Sequence, residues 1–132
     1  MFDQTWKWAG KYRMTEKNIG VPHHQIRDSL GMLFGDVQYW LDRRSFAADE
    51  IAIRFHHRLV LIHPFANGNG RHARLMADVL ARRQDRSTFT WGGATWGGAD
   101  IAHAGDFRRC YIEALRAADK NDIEPLLVFA RS

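Results

Sequence analysis

From Ile26 onward, apolar residues return at steps of three and four. Ile26, Leu30, Leu33, Val37, Trp40 and Leu41 fall along one side of a helix, the stripe that a globular fold buries. Gly31 and Gly35 interrupt this helix, each costing about 1 kcal/mol relative to Ala; close packing against a neighbour is the expected reason they are there. A second stripe, Ala52, Phe55, Leu59 and Ile62, follows Asp49, which reads as the N-cap. Pro64 ends that helix, because its ring pushes residue 63 away from helical angles. The period resumes with Ala73, Met76, Ala77 and Leu80 up to about Arg83, so this part of the chain runs helix, Gly-rich loop, helix. Phe107, Cys110, Ala114 and Ala118 begin another stripe, and Asp122 to Arg131 predicts a last short helix with Pro125 in its first turn. The stretch before Ile26 differs: Phe2 to Pro22 is rich in aromatic and turn residues, punctuated by Gly10 and Gly20, and reads as a hairpin. Ser87 to Gly105 is loop-like, and its short echo, Trp91-Gly-Gly-Ala-Thr and Trp96-Gly-Gly-Ala, is too brief for a repeat architecture. The predicted class is mainly α, a helical bundle with a short β-hairpin near the N-terminus.

Composition narrows the setting. A chain of 132 residues, 45% hydrophobic and 26% charged, can bury one core, so residues 1–132 are expected to form a single domain. No apolar run approaches the ~20 residues of a membrane span, and the start, Met1-Phe-Asp-Gln-Thr-Trp, has no leader pattern. Cys110 is the single cysteine, which excludes an internal disulfide and fits a reducing cytoplasm. The net charge of +4 invites a phosphate-rich partner. Nucleic acid is disfavoured, because no stripe of interleaved basic and aromatic residues supports it.

Candidate chemistry concentrates at residues 63–74, His-Pro-Phe-Ala-Asn-Gly-Asn-Gly-Arg-His-Ala-Arg. Gly68 and Gly70 let the backbone turn so that successive N–H groups face one hollow. The helix that starts there adds unpaired N–H groups and its positive dipole end, making an anion site. Arg71 and Arg74 stand on nearly the same face of its first turns, where two guanidinium forks can grip phosphate oxygens. His63, at the mouth of the loop, supplies a group that titrates near neutral pH. A base beside a phosphate cradle suggests a nucleophile activated to attack phosphorus. The loop is not a Walker P-loop, since it lacks Lys and Ser/Thr and joins two helices.

This stretch closely resembles the signature of Fic-domain proteins: His-Pro-Phe, any residue, Asp or Glu, Gly-Asn-Gly-Arg, two residues, Arg. His63, Pro64, Phe65, Gly68, Asn69, Gly70, Arg71 and Arg74 match it. Trp8-Ala-Gly-Lys-Tyr-Arg with Asn18-Ile looks like the hairpin flap of that all-α fold, at about residues 8–22, and the likeness is closest to the small bacterial proteins catalogued as mobile mystery protein B. The resemblance implies transfer of a nucleoside monophosphate, usually AMP from Mg-ATP, to a hydroxyl side chain of a target protein. His63 would then be the base, while Gly68, Asn69 and Gly70 form the anion hole. Arg71 would hold the phosphates, Arg74 would orient the γ-phosphate, and Phe65 would anchor the loop in the core. The flap, roughly Lys11 to Ile19 and including Tyr12 and Arg13, would hold the target segment as an added strand.

Two departures qualify that picture. Asn67 stands where the family usually carries the magnesium-binding acid; its amide oxygen can coordinate Mg²⁺ or Mn²⁺ but brings no charge to offset the ion. The pattern of the family's inhibitory helix, Ser or Thr, three residues, Glu, then Gly or Asn, is missing, and the chain begins close to the flap. An inhibitory segment is therefore expected upstream of this chain or in a separate partner.

Plainer readings compete at each position. A histidine at a helix end is favoured there by the dipole alone, and Arg71 and Arg74 could form an exposed basic face with Arg82 and Arg83; the glycine loop beside them argues against both. Asn67 serves equally well as a turn residue. His56, His57, His63 and His72 lack zinc-site spacing, so His56 and His57 are expected to pack and hydrogen-bond around their helix. The loop tryptophans read as core caps before they read as base-stacking groups, and Tyr12 and Arg13 either meet a target or close the hairpin. Three functions compete: nucleotide transfer to protein, transfer of another group (UMP, GMP, phosphate or phosphocholine) on the same fold, and a non-catalytic nucleotide-binding regulator.

Overall fold

The structure, a computed structural model, describes residues 20–66, 68–93 and 104–132. Its helices are α1 (Ile26–Arg43), α2 (Ala48–Ile62), α3 (Asn69–Arg83), α4 (Ala104–Asp119) and α5 (Glu124–Arg131), with a 3-10 turn at His23–Gln25 leading into α1. Among the described residues there is no strand; the expected hairpin, apart from its last residues Gly20 to Pro22, lies outside them, as do Asn67 and the second Trp-Gly-Gly. Among the described residues no helix is long and apolar enough to cross a membrane. The fold is mainly helical. It gathers into two compact units, one from the described part of Met1–Ser45 with Phe55–Met76, the other from Phe46–Arg54 with Ala77–Ser132.

In the first unit the predicted stripes turn inward. Ile26, Leu30, Leu33 and Val37 of α1 are buried, as are Phe55, Leu59 and Ile62 of α2 and Ala73 of α3. Trp40 and Leu41, at the end of the stripe, are only half-buried. α1 stops where Arg44 takes a left-handed conformation (φ 51°) and its N–H donates to the Trp40 carbonyl. On its outer side, Arg58 of α2 reaches Asp36 at 3.0 Å. The reason expected for the two helix glycines is corrected here. Gly31 and Gly35 are exposed, and a Cβ built on either would meet nothing within 4 Å among the described residues.

The second unit is fastened by a polar contact the sequence pattern does not reveal. Ile51 N–H donates to the Ala47 carbonyl at 3.0 Å, so α2 has already begun at Ala48 and Asp49 is a first-turn residue rather than the cap expected of it. Its carboxylate faces two arginines instead. Arg131, at the end of α5, grips it in bidentate fashion at 2.7 and 2.9 Å, and Arg86 adds bonds at 3.1 and 3.2 Å. The same Arg131 donates to the carbonyls of Ser87 and Thr88 and stacks over the Phe89 ring at 4.0 Å. Asp78 of α3 accepts from the Phe89 N–H at 2.9 Å and from the Trp91 indole at 3.2 Å, so Trp91 closes this loop. Phe107 and Tyr111 of α4 pack on Phe129 of α5 with ring centres 5.3 and 5.4 Å apart.

Hydrogen bonding to Arg131, aided by Arg86 and opposed by partial burial, holds the Asp49 carboxyl at about 2 against an ordinary 3.8. A carboxylate lowered in this way stabilises the folded chain above the unfolded value, and its contribution fades as pH falls from 3.8 through about 2. Asp49→Asn is expected to cost about 1–2 kcal/mol near neutral pH, after allowance for solvent screening; in urea titrations that cost shrinks as the pH approaches 2. The glycines give the opposite sign. Gly31→Ala and Gly35→Ala are each expected to stabilise by about 0.5–1 kcal/mol, seen as a higher urea midpoint, because each removes backbone freedom and meets no neighbour.

Candidate functional site

The loop from His63 to Arg74 lies wholly within the first unit. α2 closes with the His63 N–H donating to the Leu59 carbonyl at 3.1 Å, and His63 itself turns left-handed, with φ at 53°. Few residues other than glycine adopt that conformation, and the end of a helix is a common place for it, as at Arg44 after α1. Pro64 follows, buried, so it prevents any continuation of the helix and seats the turn in the core. Phe65 is also buried, its ring edge-on to His72 at 4.7 Å, which is the anchoring position expected of it. Gly68 has φ at 73°, where glycine carries no steric cost, and its carbonyl accepts the His72 N–H at 3.0 Å to begin α3.

One side chain holds this turn together. Asn69 is buried; its Oδ1 accepts the Phe65 N–H and its Nδ2 donates to the Phe65 carbonyl, both at 2.8 Å. The amide of Asn69 is thereby committed to the loop, and what it can offer an anion is its main-chain N–H. Gly70 and Arg71 complete the first turn of α3, where N–H groups have no acceptor within the helix and the dipole is positive. Arg71 is exposed on that turn and Arg74 is half-buried one turn further on. The structure thus brings His63, Gly68, Asn69, Gly70, Arg71 and Arg74 into one loop and helix start. Tyr12, Arg13, Ile19 and Asn67 lie outside the described residues.

His56 is fully buried on α2. Desolvation pulls its ring down to about 3 from an ordinary 6.5, the main chain of Ala73 opposes this, and the charges of Arg74 and His57 add to it; the ring is neutral near neutral pH. The signal was present in the sequence, since His56 stands four residues after Ala52 and three before Leu59, inside the apolar stripe. Because α2 ends at Ile62, His56 and His63 share no helix face. Among the described residues, no three His, Cys, Asp or Glu side chains gather as a metal site.

Removing the Asn69 amide leaves two buried main-chain groups of Phe65 without that partner. Asn69→Ala is expected to cost about 2–4 kcal/mol by thermal unfolding, whereas Asn69→Asp, which keeps the acceptor and loses the donor, falls between Ala and the native residue. A change of a few tenths of a kcal/mol on Asn69→Ala would show that the clamp does not hold the loop.

Comparison with known proteins places this geometry. Residues 1–81 match the Fic/DOC family. The chain is 27% identical over 124 residues to the protein adenylyltransferase Fic of Aedes aegypti, covering 92% of this chain and 22% of that protein. It is 30% identical over 122 residues to protein adenylyltransferase fic-1 of Caenorhabditis briggsae, covering 90% of this chain and 22% of that one. A solved structure of C. elegans Fic-1, residues 134 to 508, superposes with a TM-score of 0.67 at 25% identity, over 95% of this chain and 34% of that one. The chain spans about a fifth of the length of the curated relatives it matches. The loop clamped between α2 and α3 is thus the signature of a known fold, and the chain belongs to the Fic/DOC family.

Proposed function

We propose that this chain, acting as one Fic domain in the cytoplasm, is a protein adenylyltransferase that moves AMP from ATP to a hydroxyl side chain of a target protein. The observation that carries the reading is the loop geometry: a histidine turned left-handed at the end of α2, then a turn clamped by Asn69 on Phe65, then a helix start that presents N–H groups and two arginines. The relatives, which are protein adenylyltransferases, point to the same chemistry. In this reading His63 removes the proton from the target hydroxyl as its oxygen bonds to the α-phosphorus. The bond from that phosphorus to the bridging oxygen breaks, and pyrophosphate leaves in line. The N–H groups of Gly68, Asn69 and Gly70 meet phosphate oxygens along the helix dipole, Arg71 holds the phosphates and Arg74 orients the γ-phosphate. The flap, with Tyr12, Arg13 and Ile19, is proposed to hold the target as an added strand, and an inhibitory segment or partner to control the site.

A divalent cation, Mg²⁺ or Mn²⁺, would supply neutralisation of phosphate charge. The donor set from His63 to Arg74 holds no carboxylate, and the Asn69 oxygen is committed to Phe65, so Asn67 remains as a neutral protein oxygen for it. That set fits a cation held chiefly by the nucleotide's own phosphates. The missing charge also favours a second reading, a nucleotide-binding regulator with little turnover.

One set of assays separates these readings. Purified protein given Mg²⁺ or Mn²⁺ and α-labelled ATP is expected to label itself or lysate proteins, with labelling cut by roughly 10²–10⁴-fold in His63→Ala and with lower metal demand in Asn67→Asp. α-Labelled UTP and GTP test other nucleotides, and γ-labelled ATP tests phosphate transfer. ATP binding by calorimetry, weakened by Arg71→Ala or Arg74→Ala, with no labelling even in Asn67→Asp, would replace the enzyme with the regulator. Absence of both binding and labelling would end both readings.

A further inference from the structure

Between α4 and α5 runs a groove that the proposed transfer reaction does not use. It has a volume of about 760 Å³, and its lining residues belong to the second unit, whereas His63 to Arg74 lie in the first. On α4 the groove is lined by Cys110, Glu113, Ala114 and Ala117; on α5 it is lined by Pro125, Val128 and Phe129. Both sets follow the three- and four-residue steps of a single helix face, and the α4 set runs over two turns, roughly 10 Å. The floor is apolar. Ala114 and Phe129 are buried, but Val128 is 60% exposed and leaves its methyl groups in water. An open trough with one helical stripe on each wall has the shape into which a third helix packs its own ridge.

Charge decides which kind of helix fits. The chain as a whole carries +4, yet every charged side chain lining this groove is acidic: Glu113, Asp122 and Glu124, all exposed. Two of them have a local duty, since Asp122 accepts the Glu124 N–H at 3.3 Å and Glu124 stands in the first turn of α5, where the dipole favours a carboxylate. Glu113, in the middle of α4, has no such duty. Arg116 and Lys120 line a smaller neighbouring hollow with Glu113 and Asp122, not the groove itself. We propose that this groove docks a basic amphipathic helix of a partner protein, one that lays apolar residues against Val128, Ala117 and Phe129 and sets Lys or Arg beside Glu113 and Glu124. The acidic rim would repel the phosphates of a nucleic acid or of an anionic membrane. The proposal does not depend on the nucleotide reading.

The test uses the full chain and a defined probe, a fluorescein-labelled peptide of about 14 residues, or four turns, with Leu at three- and four-residue steps and Lys elsewhere. Its controls are the same peptide with Glu for Lys and the same composition reordered to a two-residue period. By fluorescence anisotropy the Lys helix is expected to bind, and both controls to bind at least about tenfold more weakly, although the net charge of the chain alone would favour the Glu peptide. Val128→Asn, which removes an exposed apolar anchor, is expected to raise the Kd of the Lys helix about tenfold. Glu113→Gln, which removes one exposed charge, is expected to raise it about threefold. Cys110, the single cysteine, lines the groove and gives a second readout: saturating Lys helix is expected to slow its reaction with a thiol reagent, and the Glu peptide to leave it unchanged. No binding of the Lys helix, equal binding of either control, binding untouched by Val128→Asn, or unprotected Cys110 would overturn the proposal. Self-association of the native chain in sedimentation, lost in Val128→Asn, would overturn it too, by assigning the groove to a second copy.

Discussion

Two hydrogen bonds between the amide of Asn69 and the main chain of Phe65 keep the turn from α2 to α3 in shape. The turn asks for much that is unfavourable. His63 sits at positive φ, Pro64 removes a donor, and Phe65 brings main-chain polar groups into a buried position. A primary amide can answer both the N–H and the C=O of a single residue, accepting at its oxygen and donating at its nitrogen. Without that pairing the burial of Phe65 would strand two groups, and the ring could not anchor the loop. Phe65 goes inward, Asn69 permits it, and α3 starts directly after the turn. What looks in the signature like one more anion-binding residue is thus chiefly the residue that holds the turn.

The second unit solves a related problem with charge. Arg131 ends α5 within reach of the start of α2, the loop carbonyls of Ser87 and Thr88, and the ring of Phe89. A guanidinium can serve all of these at once, because its donors are spread around a planar fork whose face remains free to stack. Asp49 supplies the charge that makes the arrangement worthwhile, and Arg86 reinforces it from the exposed side. Leucine-on-leucine packing would join these elements less selectively. The bidentate pair dictates which turn of α2 meets which end of α5.

Much of this was legible in the sequence, for reasons that also explain what was not. Stripes at three- and four-residue steps located α1, α2, α3 and α4 because burial of one helix face is a local, periodic demand. Pro64 and Gly68 marked the turn because each restricts or frees a particular backbone angle. The missed features depend on partners far along the chain. Asp49 and Arg131 are 82 positions apart, so nothing near Asp49 distinguishes a cap from a first-turn anion, and its type suits both. Gly31 and Gly35 misled in the opposite way: a helix glycine usually signals a close approach, yet these two face open space. His56 was visible as a polar residue in an apolar stripe, but the completeness of its burial depends on neighbours that the local sequence does not name.

The fixed charges of the loop are all of one sign. Between His63 and Arg74 the loop carries two arginines and no acid, and it ends on a helix whose dipole is positive at the same place. His56 beside it remains neutral, held so by burial and by Arg74. No side chain of that stretch carries a negative charge, which suits the polyanionic ligand of the proposed function better than a neutral nucleoside. In that reading an acid at position 67 would share the balance between protein and cation, whereas Asn67 leaves it to the phosphates. The signature thus keeps every residue read as phosphate-binding and changes the one read as metal-binding.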